Sequence, residues 1–214
     1  MIQIKQFVFN PFQENTYVVY DDTKECVIVD AGCYSNGEQD ELTGFIKLKG
    51  LKPKYAVNTH GHVDHIMGNA FVKEEYGVEI LGNPEDLLLL ESAIQHALMF
   101  GIGLDSVPSF DGYINHGDTI RFGNSQLGVI HTPGHSRGGI CLLSEEGNFV
   151  IAGDTLFRGS IGRTDLPGGN FDQLIESITK RLLPLGDDVI VYSGHGETST
   201  LGWERNNNPF LSKQ

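Results

Sequence analysis

Residues 58–65 read Asn58-Thr59-His60-Gly61-His62-Val63-Asp64-His65, with three imidazoles and a carboxylate inside six positions. Buried polar side chains need partners and exposed histidines gain nothing by clustering, so packing does not account for the run. A bound metal does. Residues 54–59 read as a strand and Gly61 lets the backbone turn, which sets the candidate ligands on a strand-to-helix loop, a common place for a catalytic site.

The rest of the chain has to support that loop. Its 214 residues suffice for one core and no composition shift marks a boundary, so a single domain over residues 1–214 is expected. The 27 glycines favour turns and close backbone approaches over a helical bundle. A net charge of −13 argues against a nucleic-acid partner or an anionic membrane surface, both of which need clustered Lys and Arg. Cys26, Cys33 and Cys141 are odd in number and contain no C-x-x-C, so no disulfide framework is expected. Residues 1–5 alternate like a strand rather than a leader, and no apolar run approaches the ~20 residues that cross a bilayer. A soluble, cytoplasmic protein without a protein partner is the expectation.

Residues 2–9, 15–20 and 25–30 read as an antiparallel meander, followed by a helix over 37–49 in which Leu42, Phe45, Ile46 and Lys49 recur at helical spacing. After the cluster come a helix at 67–76, a strand at 78–82 and a helix at 84–100. Residues 101–117, rich in Gly, Pro, Asp and Ser, are a candidate substrate-facing flap. Strands return at 119–122, 125–131, 138–144 and 148–153, then a helix at 171–182 and a strand at 188–193. Strands followed by helix in both halves suggest two sheets packed face to face with helices outside. No sequence repeat is strong enough to mark a duplication.

Three further candidates fall at strand ends: His135 in Thr132-Pro133-Gly134-His135-Ser136, Asp154 in Gly153-Asp154-Thr155, and His195 in Ser193-Gly194-His195-Gly196. Singly each reads as a turn or cap residue. With the first cluster they make five histidines and two aspartates, a donor set suited to zinc, iron or manganese. Asp30, at the end of an apolar run, is either a partner that orients a ligand or a turn residue. His96, His116 and His131 fall outside the pattern and read as structural.

The segments T-H-G-H-V-D-H, T-P-G-H-S, G-D-T-L-F and S-G-H-G, in that order over nearly the whole chain, resemble the metallo-β-lactamase superfamily. The resemblance implies an α/β (α+β) fold, an αββα sandwich with two divalent metal ions at one edge: zinc in the first place, with iron or manganese as other occupants. It assigns His60, His62 and His135 to one ion, Asp64, His65 and His195 to the other, and Asp154 to both. Gly153–Phe157, Gly162–Gly169 and the tail around Gly202–Arg205 and Asn208–Leu211 are similar to glyoxalase II (hydroxyacylglutathione hydrolase) of the short bacterial kind. Long forms bind glutathione largely through a C-terminal helical domain, whereas here 19 residues follow His195, which leaves the carrier thiol open.

The implied activity is hydrolysis of a small-molecule thioester such as S-lactoylglutathione by water ionised between the metals, with Asp64 as metal ligand and catalytic orienter. Thr59 and Asp30 are candidates for orienting imidazoles. Arg163 is the leading candidate for an anionic substrate group, with Arg137 and Arg158 behind it, because a guanidinium grips a carboxylate with two parallel hydrogen bonds. Phe157, Ile66 and Met67 are candidates for an apolar wall. The G-R-T-D segment is also similar to that of persulfide dioxygenases, which keep the same ligands around a single iron, so an iron-dependent oxidoreductase is the alternative.

Overall fold

Val18 and Val19 are both fully buried, as are Val27, Ile28 and Val29. Successive strand residues point to opposite faces, so this sheet must be covered on both sides. The structure, a computed structural model, describes residues 1–211 and shows what covers it. β1 (Gln3–Phe9), β2 (Glu14–Tyr20) and β3 (Glu25–Val29) form the expected meander. α1 (Asn36–Lys49) starts at a capping box between Ser35 and Glu38 and stops at Gly50, whose φ of 65° a side chain would resist. Leu42 and Ile46 are its buried face, while Lys49 lies exposed.

β4 (Lys52–Val57) runs parallel to β3 and delivers the histidine loop. The helical stretch after it comes in two pieces, α2 (Val63–Ile66) and α3 (Asn69–Tyr76), separated at Gly68. β5 (Glu79–Gly82) follows, then a 3₁₀ turn over Pro84–Asp86 and α4 (Leu87–Met99). Residues 101–117 are not one free loop, because β6 (Gly112–Tyr113) pairs with β5 at the sheet edge. Phe110 and Ile114 are buried beside it, so apolar burial pins the second half of this candidate flap.

The second sheet is built from β7 (Thr119–Phe122), β8 (Ser125–His131), β9 (Ile140–Ser144) and β10 (Phe149–Gly153). A small hairpin, β11 (Leu156–Phe157) and β12 (Ser160–Ile161), comes next. α5 (Phe171–Ser177) continues through a π turn over Ile178–Leu182. β13 (Ile190–Ser193) is then followed by β14 (Ser199–Thr200) and α6 (Leu201–Asn207), the last two beyond the expected final strand.

Among the described residues the two main sheets have six strands each, in the orders β1-β2-β3-β4-β5-β6 and β14-β13-β10-β9-β8-β7. Tyr17, Val19, Val27 and Val57 of the first meet Phe122, Leu127, Leu142 and Ile151 of the second in the central layer. Outside, Val18, Ile28 and Ile80 pack under Leu42, Ile46 and Val72, and on the far side Val150 and Val191 pack under Leu174, Ile178 and Leu201. This is the αββα sandwich. β8 and β10 both run antiparallel to β9, and β13 runs parallel to β10, so the C-terminal ends of all three open on one edge.

Candidate metal centre

The loop after β4 is held by its own polar side chains. Asn58 donates to the His65 carbonyl at 3.0 Å and accepts from Asn69 at 2.8 Å, both buried. Ile140 N–H donates to the Thr59 carbonyl at 2.9 Å, which ties the loop to the second sheet. Asp86, also buried, accepts from Gly61 N–H at 3.0 Å, Ser136 Oγ at 2.8 Å and Gly138 N–H at 2.6 Å, so one carboxylate clamps the loops bearing His60, His62 and His135. Burial still raises the Asp86 pKa above the ordinary range despite those donors. Gly61 is required by space, since a Cβ there would lie 2.8 Å from Leu90 Cδ1 and 2.9 Å from Leu89 Cβ.

The strand ends bring all seven candidate ligands together. Donor atoms of His60, His62 and His135 form one group, those of Asp64, His65 and His195 another, and His60, His65 and Asp154 a third that spans the two, each group within 4.8 Å. His135 Nε2 lies 2.8 Å from His62 Nδ1 and 3.3 Å from His60 Nε2. Asp64 Oδ2 lies 3.1 Å from His195 Nε2 and 3.6 Å from His65 Nε2. Asp154 reaches both ways, with Oδ1 3.3 Å from His65 Nε2 and Oδ2 3.5 Å from His135 Nε2. Donors around one tetrahedral ion with bonds of ~2.0–2.1 Å sit roughly 3.3 Å apart, so these spacings suit side chains that would hold divalent metal, with Asp154 facing both trios.

The polar accounting also calls for ions. His65 Nε2 and Asp154 Oδ1 are buried without any hydrogen-bond partner, a costly arrangement that a cation between them resolves. Burial and the neighbouring imidazoles push the His62 pKa down to about 3 and that of His60 well below the ordinary value, which keeps both rings neutral with a lone pair free. Burial opposes ionisation of Asp154, but His65 and His135 outweigh it and hold the carboxyl low.

On four of the five histidines the outer ring nitrogen is engaged, which fixes which nitrogen faces the centre. His65 Nδ1 donates to Asp30 at 3.0 Å, and His135 Nδ1 to the Arg163 carbonyl at 2.8 Å. His195 Nδ1 donates toward the Phe12 and Gln13 carbonyls at 3.1 and 3.2 Å. Thr59 donates to Asp30 through both its amide and its hydroxyl, each at 2.7 Å, and its oxygen stands 3.1 Å from His60 Nδ1. Asp30 thus turns the chain at φ 51° and sets its carboxylate on the ring of the candidate ligand His65. His62 alone turns Nδ1 inward.

The expected substrate residues are placed unequally. The half-buried Phe157 sets its ring 6.1 Å from that of His195, edge to face. Arg163 forks onto Asp165 with two 2.8 Å hydrogen bonds at the surface, leaving its carbonyl rather than its charge on the centre. Arg158 lies 5.1 Å over the Trp203 ring. Arg137 is exposed beside Ser136. Ile66 and Met67 are buried packing residues, the first in the core under the first sheet and the second against Val63, Ala97 and Ile102. Neither forms a wall.

Sequence reasoning missed Asp86, which fell inside the helix expected over 84–100. It also missed Glu14, a fully buried carboxyl on β2 whose Oε1 has no partner and lies 4.0 Å from His65 Nδ1. Thr16 donates to its other oxygen at 2.8 Å, and burial raises its pKa well above normal. Glu14 opens a strand that begins Glu-Asn-Thr and carries no local signal of its burial.

The model of the metallo-beta-lactamase superfamily matches residues 9–195. The chain belongs to that superfamily. Among its superfamily relatives, hydroxyacylglutathione hydrolase GloC of Haemophilus influenzae is 37% identical over 210 residues, 95% of each chain. Two solved structures superpose closely. BLEG-1, described as a B3 metallo-beta-lactamase, gives a TM-score of 0.90 at 33% identity over 98% of this chain and 100% of its own. TTHA1623 in a di-iron-bound form gives 0.87 at 36% identity over 97% and 100%.

Proposed function

We propose that this chain is a metal-dependent thioester hydrolase of glyoxalase II type, acting on S-2-hydroxyacyl thiols such as S-lactoylglutathione. The observation that carries the reading is the pair of ligand trios joined by Asp154, on a chain similar end to end to a hydroxyacylglutathione hydrolase. Two divalent cations held there, zinc first and iron or manganese by the same donors, would polarise the thioester carbonyl and bring the pKa of a water from about 15.7 toward roughly 7.

The chain's cysteines offer no competing nucleophile. Cys26, Cys33 and Cys141 are all buried, and burial pushes their thiols up to about 12, 12 and 11, away from the thiolate that acyl transfer needs. Water is left as the attacking group. Asp64 is the residue to orient it. Burial opposes ionisation of Asp64, but His65 and His195 hold its pKa below normal. A departing thiol with a pKa near ~8.5 leaves as thiolate without an acid. Phe157 walls one side. Arg163 and Arg137 are the cations for an anionic substrate group, and Arg163 has to release Asp165 to reach one.

The same ligands serve the alternative, an iron-dependent persulfide dioxygenase, so the test runs both reactions. Protein loaded separately with zinc and with iron is given S-lactoylglutathione without oxygen, and a thiol persulfide with oxygen. Thiol release by the zinc form under anaerobic conditions is expected, because zinc has no redox change to offer. Iron-dependent oxygen uptake with no thioester cleavage by either form would overturn the hydrolase reading. Nitrocefin, a β-lactam, is the third substrate; hydrolysis of it alone would make the chain a lactamase.

A further inference from the structure

Glu85 and Arg137 line the same cleft, about 240 Å³ in volume, cut between the start of α4 and the Pro167–Gly168 turn, with Leu88 and Leu89 as apolar wall. None of the seven candidate ligands lines the cleft, but its walls reach the loops that carry three of them. Arg137 lies two residues past His135, and Leu89 packs against Gly61, which stands between His60 and His62. Arg158, Arg163 and Arg205 each have a carboxylate partner. Among the described residues Arg137 has none within 4.0 Å, Glu85 has no basic partner, and both are exposed. Asp86 also lines the cleft, but its oxygens are taken by Gly61, Ser136 and Gly138.

Two unpaired and opposite charges in one cleft fit a ligand that carries both. We propose that this cleft takes the free amino-acid end of the thiol carrier, its carboxylate on Arg137 and its ammonium on Glu85, with methylene groups along Leu88 and Leu89. The inference rests on the thioesterase reading and names the carrier class for it. A guanidinium grips a carboxylate with two hydrogen bonds, and the apolar wall favours a short hydrocarbon link. A zwitterionic end also suits a chain of net charge −13, which would repel a carrier bearing several phosphates.

The test uses the metal-loaded protein and three matched thioesters: S-lactoylglutathione, its N-acetylated form, and S-lactoyl-N-acetylcysteamine, which lacks both charges. Arg137→Ala is expected to raise KM for S-lactoylglutathione by about tenfold with kcat within twofold, and to leave the cysteamine thioester unchanged. Glu85→Gln should raise KM for S-lactoylglutathione but not for the N-acetylated form. Equal effects of Arg137→Ala on the charged and uncharged thioesters, or none on either, would overturn the proposal. S-methylglutathione, which cannot be hydrolysed, provides a readout independent of turnover by calorimetry. If no thioester is cleaved yet its binding weakens in both variants, the hydrolase reading fails and the cleft assignment stands. Binding that is the same in wild type and both variants sinks the cleft assignment whatever the activity.

Discussion

A left-handed backbone is uncommon for aspartate, yet Asp30 adopts φ 51° and sets one oxygen on the Thr59 amide and the other on the Thr59 hydroxyl and His65. The strained turn is what aims the carboxylate at the ligand loop. Asp30→Ala should therefore weaken the ion on Asp64, His65 and His195 by roughly 10–100-fold and the other, reached only through Thr59 and His60, by less, read by metal analysis during chelator titration. Equal loss at both positions would show that Asp30 only holds the turn. Asp154→Ala should lower the content of both metals, because its two oxygens face the two trios separately. Two ions per chain bound at wild-type affinity would refute the bridging role.

At the scale of elements, the 3₁₀ turn over Pro84–Asp86 does more than start α4. Through Asp86 it joins the loop after β4 to the loop after β8, one from each sheet. Asp86→Ala leaves three buried donors without an acceptor and should destabilise the fold by about 3 kcal/mol, measured by urea unfolding. A change under ~0.5 kcal/mol would mean that water replaces the carboxylate. Periodicity and turn residues showed where α1, β4, β8 and β10 lie, within a few residues at their ends. They did not reveal β6, β14 or α6. Two-residue strands carry no alternation to read, and their pairing is set by a neighbour distant in sequence.

For the whole molecule, the metal ions and the sandwich should stabilise each other. The ligands come from the ends of β4, β8, β10 and β13, so an ion bound between them links both sheets in the folded state alone. Chelation should lower the thermal midpoint by several degrees, restored on adding zinc; an unchanged midpoint in scanning calorimetry would mean the seven side chains do not hold ions in solution. The sequence by itself determined the donor types, their places at strand ends and the layered pattern of strands and helices, because these follow from local spacing and hydrophobic alternation. Only the tertiary structure decided that His62 turns Nδ1 inward, that Asp165 ties up Arg163, that Glu14 and Asp86 are buried beside the ligands, and that Glu85 and Arg137 share a cleft. Each of these depends on where a side chain meets groups brought together by packing: Asn15, for example, donates to the Ser193 carbonyl across 178 residues. No local pattern in a sequence records such a meeting.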